Sequence, residues 1–67
     1  MTTYRPGDDV QFLDRGDWYP AVVEGTRTWP KRDGGELRMV IVRPRLRDRL
    51  SESRYGFPEG SPDLRLG

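Results

Sequence analysis

Three observations predict that this chain folds as a small all-β domain. Short segments rich in aromatic and β-branched residues recur along it. Clusters of Gly, Pro and Asp separate these segments at intervals of about 8–12 residues. In the clearest segment, residues 37–43 (LRMVIVR), side chains alternate between two faces as they do on a strand. These features are typical of a small barrel or sandwich, here with about five antiparallel strands.

The first two segments predict a hairpin. Residues 10–13 (VQFL) are short, apolar and β-prone. Residues 14–17 (DRGD) predict a turn, because Asp bonds its own backbone and Gly16 supplies a positive φ. Residues 18–26 (WYPAVVEGT) predict the second strand, in which Pro20 lacks an N–H and should face an edge or a bulge. Ala21 and Val23 share one face of this strand, and the small Ala21 suits the interior of a tight barrel.

The third strand completes a predicted three-stranded antiparallel meander. Residues 27–36 (RTWPKRDGGE) contain Pro and Asp-Gly-Gly and predict a hairpin turn before it. The two faces of the third strand carry Leu37, Met39 and Ile41 on one side and Arg38, Val40 and Val42 on the other. We expect the face with the two valines to meet Ala21 and Val23 in the interior.

The remainder of the chain gives a weaker pattern. Residues 44–53 (PRLRDRLSES) are compatible with a strand, a loop or a short helix that begins at Pro44 and places Leu46 and Leu50 on one face. Residues 54–67 carry Gly and Pro at turn positions and end in DLRL, a short apolar strand. We therefore treat residues 1–67 as one domain without repeats or linkers.

Composition excludes several kinds of chemistry. The chain has no Cys and no His, so it has no disulfide, no Cys/His nucleophile–base pair and no ordinary zinc site. Four carboxylates cluster in the first hairpin, at positions 8, 9, 14 and 17, but turn residues on a tiny domain are exposed and lack the cleft that acid–base catalysis needs. We expect neither an enzyme nor a cofactor.

Composition also suggests an origin and a location. Eleven of the 12 basic residues are Arg, which suggests a GC-rich bacterial or phage genome. Although 34% of the residues are charged, the seven aromatic residues argue against disorder. No apolar run approaches the ~20 residues that span a bilayer, and the N-terminus lacks a signal-peptide pattern. We expect a soluble, cytoplasmic protein that does not bind membranes.

The stretch GDDVQFLDRGDWYPAVV (residues 7–23) resembles the opening hairpin of a Tudor-type, SH3-like barrel. The positions that carry this resemblance are Gly7, Val10, Phe12, Gly16, Trp18, Tyr19, Ala21 and Val23. The closing SPDLRL also resembles the single 3₁₀ turn and the last strand of such barrels. The resemblance covers about half of the chain. It implies an SH3-like barrel of about five antiparallel strands.

The resemblance also implies a possible aromatic pocket. Tudor domains that recognise methylated side chains surround the cation with four aromatic residues, and Phe12 and Tyr19 match the first two positions. The other two positions fall within residues 40–46 (VIVRPRL), which contain no aromatic residue and two arginines that would repel a cation. This departure argues against such recognition unless Trp29 or Tyr55 folds in. Alternatively, Phe12 and Tyr19 are part of the core and its rim.

Charge is distributed unevenly. Residues 1–26 carry a net −3, residues 27–54 a net +5 and residues 55–67 a net −1. Within the basic part, the arginines at every second position are Arg43, Arg45, Arg47 and Arg49. If extended, this row would present guanidiniums about 6.6–6.8 Å apart, each able to contact a phosphate, with Trp29 or Phe57 stacking on bases. The alternatives are a solvated, salt-bridged face or edge strand, or the short helix.

These features predict a non-catalytic binding module. Its expected surface combines Trp18, Trp29 and the arginine row of residues 43–49. A protein partner or a second copy of the chain is favoured, and nucleic acid is the alternative. Both tryptophans beside the row would favour nucleic acid, whereas a separate apolar patch would favour protein.

Overall fold

The computed structural model describes residues 4–67, which form one antiparallel sheet of five strands. The strands are β1 (Asp9–Asp14), β2 (Asp17–Pro30), β3 (Glu36–Pro44), β4 (Tyr55–Pro58) and β5 (Leu64–Leu66). Their order in the sheet is β4-β3-β2-β1-β5. The described residues contain no helix, and therefore none that could span a membrane. The all-β prediction is confirmed, but the sheet is not closed by pairing of β4 with β5 within this part of the chain.

The predicted meander is confirmed as β1, β2 and β3, which pair in the expected antiparallel way. The β1–β2 turn consists of Arg15 and Gly16, with φ angles of 52° and 84°. Positive φ at both turn residues matches the right-handed twist of the flanking strands. Pro20 lies in the central strand β2, opposite Gln11, and not at an edge or at the bulge. Its carbonyl accepts a hydrogen bond from Arg45 N–H, just beyond the last β2–β3 pair.

The second hairpin is longer than the sequence predicted. Strands β2 and β3 stay paired as far as Pro30 and Glu36, so the turn occupies only residues 31–35 instead of 27–36. This short turn is held by the Lys31 N–H to Gly35 carbonyl hydrogen bond and by Asp33, whose Oδ1 accepts from Gly35 N–H. The β-arm, residues 26–38, therefore extends beyond the rest of the sheet.

The core lies on one face of the sheet, here called the inner face. It consists of Tyr4, Val10, Phe12, Ala21, Val23, Val40, Val42 and Leu64. Ala21 and Val23 meet the two valines of β3 as predicted, and Val23 pairs directly with Val42. The Tyr4 hydroxyl donates to the Leu64 carbonyl at 3.2 Å, which ties the chain before β1 to β5. Burial raises the pKa of this phenol.

The sheet is strongly curved around this core. Phe12 on β1 and Tyr55 on β4 have ring centroids 5.6 Å apart, although β1 and β4 are three places apart in the strand order. In a flat sheet three strand spacings would separate them by about 14 Å. The described residues measure 41 × 22 × 20 Å, and their radius of gyration of 12.2 Å exceeds the about 11 Å typical of this chain length. The β-arm accounts for this elongation.

Two segments differ from expectation. Strand β4 was not predicted, because its Gly and Pro resemble turn residues. Gly56 in fact lies within the strand, opposite Ile41, where a Cβ would come within 3.3 Å of the flexible end of Met39. The SPDLRL stretch forms a turn, closed by the Leu64 N–H to Ser61 carbonyl bond, and then β5. The last strand is thus confirmed, but the 3₁₀ turn is not.

Candidate binding surface

Four aromatic side chains meet on the inner face at one end of the core. Phe12 lies at their centre, with ring centroids 5.7 Å from Tyr19, 5.6 Å from Tyr55 and 5.9 Å from Phe57. These are favourable distances for tilted aromatic pairs. We call this group of Phe12, Tyr19, Tyr55 and Phe57 the aromatic platform.

The strand register explains how the aromatic platform forms. Phe12 and Tyr19 are direct cross-strand partners, and Tyr55 and Phe57 lie opposite Val42 and Val40 on the core face of β3. Curvature of the sheet then brings the two residues of β4 over Phe12. Of the predicted pocket pair, Phe12 and Tyr19 do meet, and Tyr55 joins them. The sequence also offered a signal for Phe57, since Tyr55 and Phe57 are two residues apart and so share one face of a strand.

The aromatic platform is a surface with a filled centre. Phe12 is only 8% exposed, whereas Tyr19 and Tyr55 are 43% and 48% exposed. Centroid distances below 6 Å are contact distances, so the Phe12 ring occupies the space between its neighbours. The accessible π-faces and edges therefore belong to the two tyrosines.

Two carboxylates lie beside the aromatic platform. Asp14 and Asp17 pair across β1 and β2, one position beyond Leu13–Trp18 and two beyond Phe12–Tyr19, so both share the inner face with that aromatic pair. Both are exposed, and neither takes part in an ion pair within residues 4–67. Arg15 lies in the turn between them. A negative pair therefore borders Tyr19 at the hairpin end.

The arginine row is not extended. Strand β3 ends at Pro44, and the Leu46 N–H to Arg49 carbonyl hydrogen bond reverses the chain, so Arg47 lies in a turn. Arg43 is half-buried and donates from Nε to the Ser51 carbonyl at 2.8 Å. Arg45 forms an ion pair with Asp9 at 2.6 Å. Residues 44–53 thus form a loop with one bridge between Arg45 and Leu50. Because residues 43–49 are not extended, their four guanidiniums do not form the regularly spaced row that phosphate contacts would need.

The two tryptophans lie near opposite ends of β2. Trp18 lies on the outer face opposite Leu13, and the Arg65 guanidinium stacks over its ring at 3.9 Å from the centroid. Trp29, 44% exposed, lies in the β-arm opposite Leu37. The structure therefore places the two tryptophans near opposite ends of β2, so they form no shared apolar patch, and Trp29 does not lie beside the arginines of residues 43–49.

A small groove lies where β2 contains a bulge between Val23 and Gly25. It encloses about 240 Å³ and is lined by Glu24, Gly25, Thr26, Arg27 and Ile41. A hydrogen bond from Arg54 lowers the pKa of Glu24, and the charges of Arg43 and Arg27 add to this effect. The negative charge of Glu24 is thus already balanced by these neighbouring arginines. Residues 4–67 contain no group of three acidic side chains arranged to hold a metal ion.

Comparison of the chain with protein-family models, with curated proteins and with solved structures finds no match. Function is therefore inferred from the chemistry of the surfaces described above.

Proposed function

We propose that this protein is a non-catalytic binding module that recognises a partner protein by receiving a cationic side chain on the aromatic platform. The observation that carries this proposal is that two half-exposed tyrosines share one face of the sheet with two carboxylates that form no ion pair in residues 4–67, and that these carboxylates lie next to Tyr19.

The chemistry of this surface suits lysine or arginine. A cation is attracted to the face of an aromatic ring, by about 0.5–1 kcal/mol at exposed sites. Asp14 and Asp17 add a second attraction for the same charge, at the end of the platform where Tyr19 lies. The same carboxylates would repel a phosphate backbone, which favours a protein partner over nucleic acid at this surface.

The resemblance of the first hairpin to Tudor-type domains supports the same proposal. Tyr19 occupies a position matching an aromatic of the Tudor pocket, and Tyr55 supplies a further ring from β4. We also propose that the fold is an SH3-like barrel, supported by the curvature that brings β1 and β4 into contact. The cytoplasmic location remains a prediction from composition.

The test uses ¹⁵N-labelled protein titrated with Gly-Ser peptides that differ only at one central residue. The four central residues are arginine, lysine, trimethyl-lysine and the neutral norleucine. We expect the cationic peptides to shift the backbone amides of Tyr19, Tyr55 and Asp17, and norleucine to leave them unchanged. Equal shifts with norleucine would show apolar docking without charge recognition, and no shift with any peptide would contradict the proposal.

Variants assign the effect to the platform. Tyr19→Leu and Tyr55→Leu keep apolar contact with Phe12 but remove the π-face, and each should weaken peptide binding several-fold. Trp29→Leu is the matched control, because Trp29 is as exposed as Tyr19 but lies in the β-arm. Asp14→Asn with Asp17→Asn should weaken binding and reduce its salt dependence, whereas Asp33→Asn with Glu36→Gln on the β-arm should not.

A further inference from the structure

The β-arm is a two-stranded ribbon that, within residues 4–67, is held only at its base, where Glu59 bonds Arg38. Every residue from 26 to 36 is exposed, on both faces of the ribbon. Strand β1 pairs with β2 only up to Val22, and β4 pairs with β3 only from Met39 onward. The paired part of its first strand, residues 26–30, is about 17 Å long, and the turn of residues 31–35 extends it further. An element of this shape can enter a groove in another molecule.

The charges of the β-arm are mainly positive. It carries Arg27, Lys31, Arg32 and Arg38 against Asp33 and Glu36, a net +2. Arg38 forms an ion pair with Glu59, and the Asp33 carboxylate accepts a hydrogen bond from Gly35 N–H. Arg27, Lys31 and Arg32 form no ion pair within the described residues, and Glu24 near Arg27 is already hydrogen-bonded by Arg54. Three cations therefore remain available at one end of the molecule.

Their arrangement follows from the register. Arg27 and Trp29 are two residues apart on β2, so they share the outer face of the ribbon, opposite Met39 and Leu37. Lys31 begins the turn directly after this strand. A cluster of basic side chains on one element is the electrostatic footprint of nucleic-acid binding, whereas an exposed ring such as Trp29 stacks on bases of a single strand.

We propose that the β-arm binds duplex DNA by inserting into the major groove, with Arg27, Lys31 and Arg32 on phosphates. The major groove, about 12 Å wide, admits a two-stranded β-ribbon. Since phosphate contacts carry no sequence information directly, the expected binding is largely independent of sequence. This surface is separate from the aromatic platform and does not depend on its function.

A second copy of the chain fits the β-arm less well. Leu37, Met39 and Ile41 on the outer face are already half-buried, and only Trp29 is a strongly exposed apolar side chain there. A stable dimer needs about 800 Å² buried on each partner, which one ring cannot supply. Three unpaired cations would also repel their counterparts in a symmetric contact.

The test is fluorescence anisotropy with a labelled 20-base-pair duplex and with one of its strands, from 50 to 200 mM salt. Three phosphate contacts predict a slope of log affinity against log salt of about −2.7, which is a loss of about 40-fold across this range. The triple variant Arg27→Gln, Lys31→Gln, Arg32→Gln should lose at least tenfold in affinity at the lowest salt and most of the slope. The matched triple variant Arg15→Gln, Arg47→Gln, Arg49→Gln removes the same charge elsewhere and should bind like the wild type.

Each other outcome overturns the proposal in a defined way. Loss of binding only in the matched triple variant would assign DNA to the arginine loop. Tighter binding of the single strand, abolished by Trp29→Leu, would indicate base stacking instead of groove insertion. Salt-insensitive self-association in sedimentation velocity, with no DNA binding, would assign the β-arm to a second copy. Tyr19→Leu should leave DNA binding unchanged, which separates this test from that of the aromatic platform.

Discussion

Strands β2 and β3 contribute both to the inner face and to the β-arm, and their side chains have opposite environments in the two regions. On β2, Ala21 and Val23 are each 1% exposed, whereas every residue from Thr26 to Pro30 is exposed. On β3 the same change occurs between Val40, 1% exposed, and Glu36. The β2–β3 pairing, interrupted by the bulge between Val23 and Gly25, therefore passes from a region held by side-chain burial to one held by the ladder alone.

This difference in burial means that the inner face provides the stability of the fold, whereas the β-arm offers side chains for contact with another molecule. An isolated two-stranded hairpin is marginally stable in water, so the β-arm depends on the body from which it extends. Its exposed residues contribute little to the core, and their side chains are free to contact another molecule. The aromatic platform lies between these extremes, because Phe12 is buried while Tyr19 and Tyr55 are about half exposed.

The largest effect should come from a charge placed on the inner face. Val23→Asp buries a carboxylate with no partner, which costs several kcal/mol. A domain of this size has a free energy of unfolding of only about 5 kcal/mol, so we expect the variant to be unfolded by circular dichroism. Val22→Asp is the matched control, since Val22 lies one residue away on the outer face next to Arg43. A cooperative melt of Val23→Asp near the wild-type temperature would contradict the face assignment.

A smaller effect on stability should distinguish two glycines that have similar positive φ angles. Gly16 and Gly34 have φ angles of 84° and 89°, where alanine is strained by about 1–2 kcal/mol. Gly16→Ala should lower the free energy of unfolding by about that amount, because its hairpin carries Phe12 and Tyr19. Gly34→Ala should lower it less, since the tip of the β-arm can open locally without exposing the core. Equal losses in denaturant titrations would mean that the arm and the body unfold as one unit.

Local patterns in the sequence predicted much of the body. Aromatic and β-branched runs located β1, β2 and β3, and period-two alternation identified the face of Val40 and Val42. The β-arm was missed because Pro30 and Asp-Gly-Gly suggest a turn more strongly than the preceding residues suggest a strand. For residues 44–53 the sequence left a strand, a loop and a short helix open, because alternating charges specify no partner strand. The structure shows the loop, since the β2–β3 ladder ends at Ala21 and Pro44.

The aromatic platform was predictable only in part. Phe12 and Tyr19 flank a two-residue turn, so their proximity follows from local register. Tyr55 reaches Phe12 from 43 residues further along the chain, and only because the sheet curves. Curvature is a property of the whole sheet and has no signal in any short segment.

Removing the β-arm tests whether the two regions are independent. We replace residues 28–38 by Asn-Gly, which keeps the Arg27–Met39 pair and supplies a two-residue turn. The body should still melt cooperatively, with a loss of at most about 1 kcal/mol, because the Arg38–Glu59 ion pair is exposed. The same variant should lose DNA binding while it keeps peptide binding at the aromatic platform. A molten or aggregated product would show that the body needs the arm.

The smallest effect concerns the ion pair at the base of the β-arm. The hydrogen bond from Arg54 lowers the folded-state pKa of Glu24 below its ordinary value of 4.5. A lowered pKa means that the ionised form stabilises the fold. This contribution is fully present above about pH 4.5 and is lost as the pH falls through the lower folded-state value.

Thermal melts between pH 7 and pH 3 should therefore show a slightly shallower acid decline for Glu24→Gln than for the wild type. Glu52→Gln removes an exposed carboxylate that forms no ion pair within residues 4–67, and it should follow the wild-type curve. High salt should reduce the difference, since both partners of the Glu24–Arg54 pair are exposed. A Glu24→Gln curve identical to that of the wild type in low salt would show that this pair, which joins β2 to the chain just before β4, contributes nothing to the stability of the fold.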